Sequence, residues 1–303
     1  MEQAVTVSVV IPAHNALATI GPALRSVEEQ TYAPTETIVV DDGSEDGTGQ
    51  WVGRNFPWVR VLRTMGAGPA GARNAGIEAA GGEWVALLDA DDVWHPEKLA
   101  LQVEALLGDR LASKVVAVAG DWVRSVERGW PPMARPVPVE VVDYRDLLIL
   151  NRFQTSTVLM RRAAWEEVGG FDPEVDGAED WDLWLRLSRI GRILKLAAPV
   201  VMYRDLPTGY SKDVWRVYRT MWRMLEKHRD SAPLSREELG AVLAWHHLRF
   251  WVAFLLAGDR AHAQMVGRRL RADGLLPRVG SATTRYLAPF LWSRFKRRWR
   301  KTS

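Results

Sequence analysis

The chain has 303 residues, no cysteine, 47% hydrophobic and 25% charged residues. That balance excludes a disordered chain, and the missing cysteines exclude a disulfide scaffold, a thiolate zinc site and a cysteine nucleophile. The net charge of +3 conceals opposite parts: residues 1–200 carry −10 and residues 201–303 carry +13. At about 150 residues per domain the length fits two domains, so an acidic front and a basic back read as separate jobs.

Met1 leads straight into VTVSVVIP without a basic n-region, so no signal peptide is expected. The longest apolar stretch, Ala241 to Ala257, is interrupted by His246, His247 and Arg249, so no membrane span is expected. Val5–Ile11 is a β-branched, strand-like run. Ile20, Ala23, Leu24 and Val27 then recur at helical spacing. Thr37–Val40, Val59–Leu62, Trp84–Leu88 and Val115–Ala119 read as further strands. Gly47–Arg54, Ala70–Ala79 and Pro96–Leu107 read as the helices between them. Short strands alternating with helices imply βαβ units: an α/β fold with a mostly parallel sheet covered on both faces. Residues 120–150 are irregular, with four prolines in Gly129–Pro138. Ser156–Met160 reads as strand, and Arg162–Val168 and Ala178–Ile190 as helices. Residues 212–272 read as consecutive helices rich in Trp, Leu and Arg.

In such sheets ligands bind beyond the carboxyl ends of the strands. The residues there are Pro12-Ala13-His14-Asn15, Asp41-Asp42-Gly43-Ser44 and Asp89-Ala90-Asp91-Asp92. Three carboxylates at one strand end repel one another unless a cation or hydrogen-bond donors offset them. Oxygen ligands suit Mg²⁺ or Mn²⁺. A solvated turn capping the next helix is the competing reading. Asp42 is placed to accept from a nucleobase or ribose, or simply to form an Asp-Gly turn. Arg73 follows a glycine-rich loop and is suited to pair with a diphosphate. Asp180 opens the helix at 178–190, as a cap or as a general base.

Taken together, VSVVIPAHN, VVDDGSEDGT, GARNAGIEAAGGEWVALLDADD and GGFDPEVDGAEDWDLWLRL resemble, in this order, glycosyltransferase family 2, the inverting transferases with a GT-A fold. The resemblance runs from about Val5 to about Tyr203. It implies a catalytic domain over 1–205, with the acceptor side from about 120, and a basic helical region over 206–303. It also implies a nucleoside-diphosphate sugar donor, a hydroxyl acceptor on a glycan or a lipid-linked sugar, and Mn²⁺ or Mg²⁺. Pro12, Ala13, His14 and Asp42 match the positions that hold the nucleobase, with His14 where relatives often carry Tyr. Arg73 lies in the ARN segment facing the diphosphate. Asp89, Asp91 and Asp92 match the DxD-type motif, Asp91 near ribose and metal and Asp92 as the expected direct metal ligand. Asp180 matches the catalytic base of the ED motif. The His that many relatives carry after the last strand is absent from Val201–Pro207. So is the QxxRW motif of processive synthases, which favours single addition. A sugar nucleotidyltransferase would carry a glycine-rich loop with an Arg near the N-terminus, which VSVVIPAHNALATI lacks. A non-catalytic sugar-nucleotide-binding relative is the other alternative.

Between Arg285 and Lys301 there are seven basic residues and no acidic one, and Leu291, Phe295 and Trp299 share a helical face. Residues 286–301 therefore read as a basic amphipathic helix suited to an anionic membrane surface, or as a C-terminal helix packed on the protein. No nucleic-acid module is present. A cytoplasmic enzyme, peripheral on the inner face of the membrane, is the expectation. His246 and His247 are expected in the core or an interface. Trp181 and Trp184, flanking Asp180, are candidate walls for a sugar ring.

Overall fold

The computed structural model describes residues 5–124, 126–127, 129–204 and 212–287. The chain divides into two compact units, Met1–Leu147 with Asn151–Gly209, and Leu148–Leu150 with Tyr210–Ser303.

The first unit is α/β. Its strands are β1 (Val7–Ala13), β2 (Glu36–Asp42), β3 (Arg60–Thr64), β4 (Trp84–Leu87), β5 (Val93–Trp94), β6 (Val115–Val123), β7 (Val139–Val142), β8 (Leu159–Arg161) and β9 (Arg192–Met202). They form one sheet in the order β3-β2-β1-β4-β8-β6-β9-β5, with β7 beside β9. β3, β2, β1 and β4 run parallel, as do β6 and β9; β8, β5 and β7 pair antiparallel. Helices α1 (Ile20–Glu28), α2 (Thr48–Asn55), α3 (Gly68–Glu78) and α4 (Lys98–Gly108) separate the early strands. α5 (Tyr144–Ile149), α6 (Arg162–Glu167) and α7 (Glu179–Ile190) follow later. The sequence pattern does not mark β5, β7 or α5: they are two, four and six residues long, too short for a period to show.

Parallel strands are buried on both faces, which is why they read as unbroken apolar runs. Val7, Val9, Val10, Ile11, Ile38, Val39, Val40, Val85, Ala86 and Leu87 are all fully buried. α3 lies close on this layer because position 76 is glycine: a Cβ there would stand 2.5 Å from Val10 Cγ1 and 3.0 Å from Val40 Cγ2. This packing fixes where α3, and Arg73 on it, meet the ends of the strands.

The second unit is helical, with α8 (Val214–Arg229), α9 (Arg236–Leu256) and α10 (Arg260–Ala272). α9 begins with a capping box in which Ser235 and Glu238 bond each other's backbone N–H groups. By length and composition α9 is long and apolar enough to cross a membrane, a test that a core helix also passes. His246 and His247 are fully buried on it. His246 Nε2 donates to the Leu148 carbonyl at 2.8 Å, and His247 Nδ1 lies 3.1 Å from the Tyr218 hydroxyl. The basic stretch expected over 286–301 lies, from residue 288 onward, outside the described residues.

Candidate active site

A cleft of about 580 Å³ opens at the carboxyl ends of β1, β2 and β4. Pro12, Ala13, His14, Asp42, Arg73, Asp89 and Asp91 all line it. Asp92 and Asp180 do not line it.

Asp42, ending β2, gathers the glycine-rich loop. Its Oδ1 accepts from Thr64 Oγ1 and Ala67 N, both at 2.7 Å, and its Oδ2 from Gly68 N at 2.8 Å. Burial alone would raise its pKa. The bonds from Thr64, Ala67, Gly68 and Gly66 outweigh burial and hold it below the ordinary value. His14 Nδ1 is 2.8 Å from the Asp42 carbonyl oxygen. A carbonyl only accepts, so Nδ1 bears the proton and Nε2 accepts from Asn15 Nδ2 at 3.1 Å. Both ring nitrogens are thereby occupied, and the ring is fixed at the wall of the cleft.

Arg73 is 6% exposed. It donates to Asp89 Oδ1 at 2.8 Å and to Glu179 Oε1 at 2.9 Å. Burial opposes its charge, but Asp89 and Glu179 more than offset that and raise its pKa. The guanidinium expected to face a diphosphate therefore spends two donors on carboxylates. It ties the end of β4 to the start of α7.

The acidic loop turns tightly, with Asp92 N donating to the Asp89 carbonyl at 3.0 Å. Its members part company there. Asp91 faces the cleft, and burial, then Asp89, raise its pKa. Asp92, expected as the direct metal ligand, points the other way and is 1% exposed. Its Oδ2 accepts from Ser156 Oγ at 2.6 Å and its Oδ1 from Arg204 N at 3.0 Å. Both oxygens serve to hold the loop, and burial, then Asp89, push its pKa up to about 8. Asp92, the carboxylate expected to ligate the metal directly, thus anchors the loop through one hydrogen bond on each oxygen.

The fit to a divalent cation follows from these donors. Asp89 and Asp91 both line the cleft, Asp89 with its Oδ1 held by Arg73, while Asp92 is turned into hydrogen bonds with Ser156 and Arg204 N. Among the described residues no group of three or more His, Asp or Glu forms a metal cage. Mg²⁺ and Mn²⁺ are commonly held by one or two carboxylates together with substrate phosphates, and Asp91, with Asp89 beside it, fits that mode.

Asp180 stands in the first turn of α7, next to the Glu179 that Arg73 holds. Its Oδ2 accepts from Asn151 Nδ2 at 3.1 Å and from Thr155 Oγ1 at 3.4 Å, and its Oδ1 from Trp181 N at 2.6 Å. Burial, then Glu179, push its pKa up to about 6 against the pull of Arg73 and these bonds. Trp181 and Trp184 are not sugar walls. Trp181 is buried with its indole N–H on the Leu147 carbonyl at 2.6 Å, and Trp184 is fully buried against Phe153 and Phe171. Asn151, Thr155 and Ser156 carry no functional signal in the sequence, because their roles come from partners far away in the chain; Glu179 is visible as the first residue of the ED motif, but not its pairing with Arg73.

A fold of this class, with a nucleotide-sized cleft at the strand ends and an acidic loop within it, defines a GT-A glycosyltransferase. The model of glycosyl transferase family 2 matches residues 8–168, more than half of the chain, and the chain belongs to this family. It is similar to the UDP-Glc:alpha-D-GlcNAc-diphosphoundecaprenol beta-1,3-glucosyltransferase WfgD of Escherichia coli. The two are 27% identical over 235 residues, covering 76% of this chain and 88% of that enzyme. Its fold is shared with residues 1–349 of S. aureus TarS in complex with UDP-GlcNAc (TM-score 0.63, 23% identity, 81% of this chain and 73% of that one). It is shared also with the mannosyltransferase PcManGT of Pyrobaculum calidifontis in complex with GDP-Man and Mn²⁺ (TM-score 0.62, 23% identity, 97% and 82%).

Proposed function

We propose that this glycosyltransferase moves a single sugar from a nucleoside diphosphate to a hydroxyl with inversion, using Asp180 as general base. One observation carries the reading: the ion pairs of Arg73 join the acidic loop of the donor cleft to the helix start bearing Asp180. Donor site and base thereby belong to one charge network. Asp180 is tuned close to neutrality, where a base ionised at working pH still holds a proton well.

The nucleotide lies along the cleft wall formed by Pro12, Ala13, His14 and Asp42. Asp42 presents its carboxylate to donor N–H or O–H groups of base or ribose. Asp91, the expected metal carboxylate that faces the cleft, would hold Mg²⁺ or Mn²⁺, and the bound ion would supply Lewis-acid stabilisation of the leaving group's charge. The acceptor hydroxyl oxygen forms its bond to the anomeric carbon as the bond to the diphosphate oxygen breaks. Asp180 takes the hydroxyl proton, and one displacement inverts the centre. Asn151 and Thr155 orient the Asp180 oxygen that they bond.

The acceptor is a glycan or a lipid-linked sugar in surface polysaccharide or glycolipid synthesis. The diphosphoundecaprenol acceptor in the name of the similar E. coli enzyme supports this. Such an acceptor favours action at the cytoplasmic face of the membrane. The test is incubation with a panel of sugar nucleotides, Mn²⁺ and lipid-linked acceptors. Nucleoside diphosphate and an inverted glycoside are the expected products. Release of pyrophosphate would mean a nucleotidyltransferase, and donor binding without turnover on any acceptor would mean a binding protein.

A further inference from the structure

The helical unit has a cavity of its own, about 450 Å³ in volume. Arg229 at the end of α8, Arg236 at the start of α9 and Arg278 all line it. Buried charges are normally paired; Arg278 is half-buried, and Arg229 and Arg236 are exposed at the rim. Here, among the described residues, none of the three makes an ion pair, whereas Arg269 nearby makes two. Two carboxylates also line the cavity. Asp273 accepts from Arg269 Nε at 3.0 Å through Oδ2, so three guanidinium groups face two carboxylates of which one already has an arginine partner.

Arg278 is built in rather than draped over the surface. Its Nε is buried and has no hydrogen-bond partner. Its side chain lies on α9 at Gly240, where a Cβ would stand 2.3 Å from Nε and 2.4 Å from Cδ. Glycine inside a helix is less favourable than alanine, and here it admits a guanidinium. A buried, unpaired N–H at the wall of a basic cavity is an unmet donor. The rest of the lining is apolar, led by Leu234, Leu239 and Leu275.

We infer that this cavity is a second ligand site, separate from the donor cleft, which binds the phosphate head of an amphiphile. Arg229, Arg236 and Arg278 grip the phosphate oxygens, and the leucines take the first part of its apolar chain. Guanidinium forks match phosphate oxygens in pairs, which gives the site geometric as well as electrostatic selectivity. The chemistry is shared by free phosphate and by a lipid phosphate, and the leucine lining favours the lipid. Nothing in this site depends on the transfer reaction.

The test is arginine footprinting with phenylglyoxal on the full chain, read by peptide mass spectrometry, with farnesyl phosphate, inorganic phosphate and farnesol as probes. Farnesyl phosphate is expected to slow modification of Arg236 and Arg278 about tenfold, at concentrations well below those at which inorganic phosphate does so. Farnesol should protect neither. Arg236→Gln, at the exposed rim, and Gly240→Ala, which displaces Arg278, should each weaken farnesyl phosphate binding about tenfold by titration calorimetry. Equal protection by inorganic phosphate overturns the amphiphile, and no protection by either phosphate overturns the site. Thermal shift with nucleoside diphosphates and Mn²⁺ reports the donor cleft independently, so failure here is distinguishable from failure of the transferase reading.

Discussion

Arg73 and Glu179 stand 106 positions apart in the chain and form a buried ion pair at 2.9 Å. The pair is the seam between the donor half of the sheet and the helix that carries Asp180. Removing one partner of a buried pair leaves the other charge uncompensated and costs about 3–5 kcal/mol. Arg73→Gln should therefore lower the Tm by about 10 °C, at roughly 2–4 °C per kcal/mol for a unit of this size. Arg73→Lys should recover only part, because one ammonium does not reproduce a fork aimed at two carboxylates. A thermal scan of both variants checks this; a Tm within a degree or two of wild type for Arg73→Gln would show that the seam carries no weight.

The base assignment fixes the acid limb of the pH profile. Asp180 accepts a proton only when ionised, and its pKa is pushed up to about 6 by burial and Glu179. Turnover should be flat well above that value and fall about tenfold per pH unit below it. A limb at the ordinary carboxylate value would remove Asp180 from the role.

Stability should run the other way. The folded state binds this proton more tightly than the unfolded chain does. Stability is therefore lost as pH rises from the ordinary 3.8 to about 6. Asp180→Asn removes that penalty, and Asn151 Oδ1, buried without a partner, can receive the new amide N–H after a flip. At neutral pH the variant should melt about 2–4 °C above wild type, for a gain of about 1 kcal/mol. Below the unfolded pKa the gap should close. Transfer should fall about 100-fold or more while nucleotide binding persists. Higher stability with normal turnover would assign Asp180 a structural role only.

Asp91 and Asp92 are chemically identical neighbours with opposite surroundings. Asp91→Asn should weaken Mn²⁺-dependent nucleotide binding about tenfold or more, since it removes a cleft carboxylate with no cationic side chain bonded to it among the described residues. Asp92→Asn keeps an acceptor for Ser156 or Arg204 and should change that binding little. Asp92→Ala should lower stability by about 1–3 kcal/mol, because it strands two buried donors. Calorimetric titration of nucleoside diphosphate with and without Mn²⁺ separates the two positions, and the reverse ranking would assign the metal to Asp92.

The sequence makes the strand ends legible because each apolar β-branched run stops abruptly at a polar cluster. Pro12 to His14, Asp42, and Asp89 with Asp91 are thereby set at one edge of the sheet. What it does not disclose is direction. Which carboxylate of Asp89-Ala90-Asp91-Asp92 turns inward depends on Ser156, 64 positions away, and on the backbone of Arg204, 112 positions away. The same holds for the loop at 151–156, whose residues have no period of their own and take their meaning from Asp180 and Asp92. β9 is equally quiet: Arg192, Lys195 and Pro199 interrupt the apolar pattern of an eleven-residue strand that pairs with β5, β6 and β7.

Ser156 is the most informative of these silent positions. It is fully buried; its hydroxyl donates to Asp92 Oδ2 at 2.6 Å and accepts from Asp89 N at 3.0 Å. One oxygen thus holds both ends of the acidic loop, with Asp91 between them. Ser156→Ala strands the Asp89 N–H and one Asp92 oxygen in the interior, at about 1–3 kcal/mol. If the loop's shape is what aims Asp91, the variant should also bind Mn²⁺ more weakly in the presence of nucleoside diphosphate, and excess metal should restore its turnover. A lowered Tm with unchanged metal affinity would mean that Asp91 is aimed by the Asp92 N–H to Asp89 carbonyl turn alone.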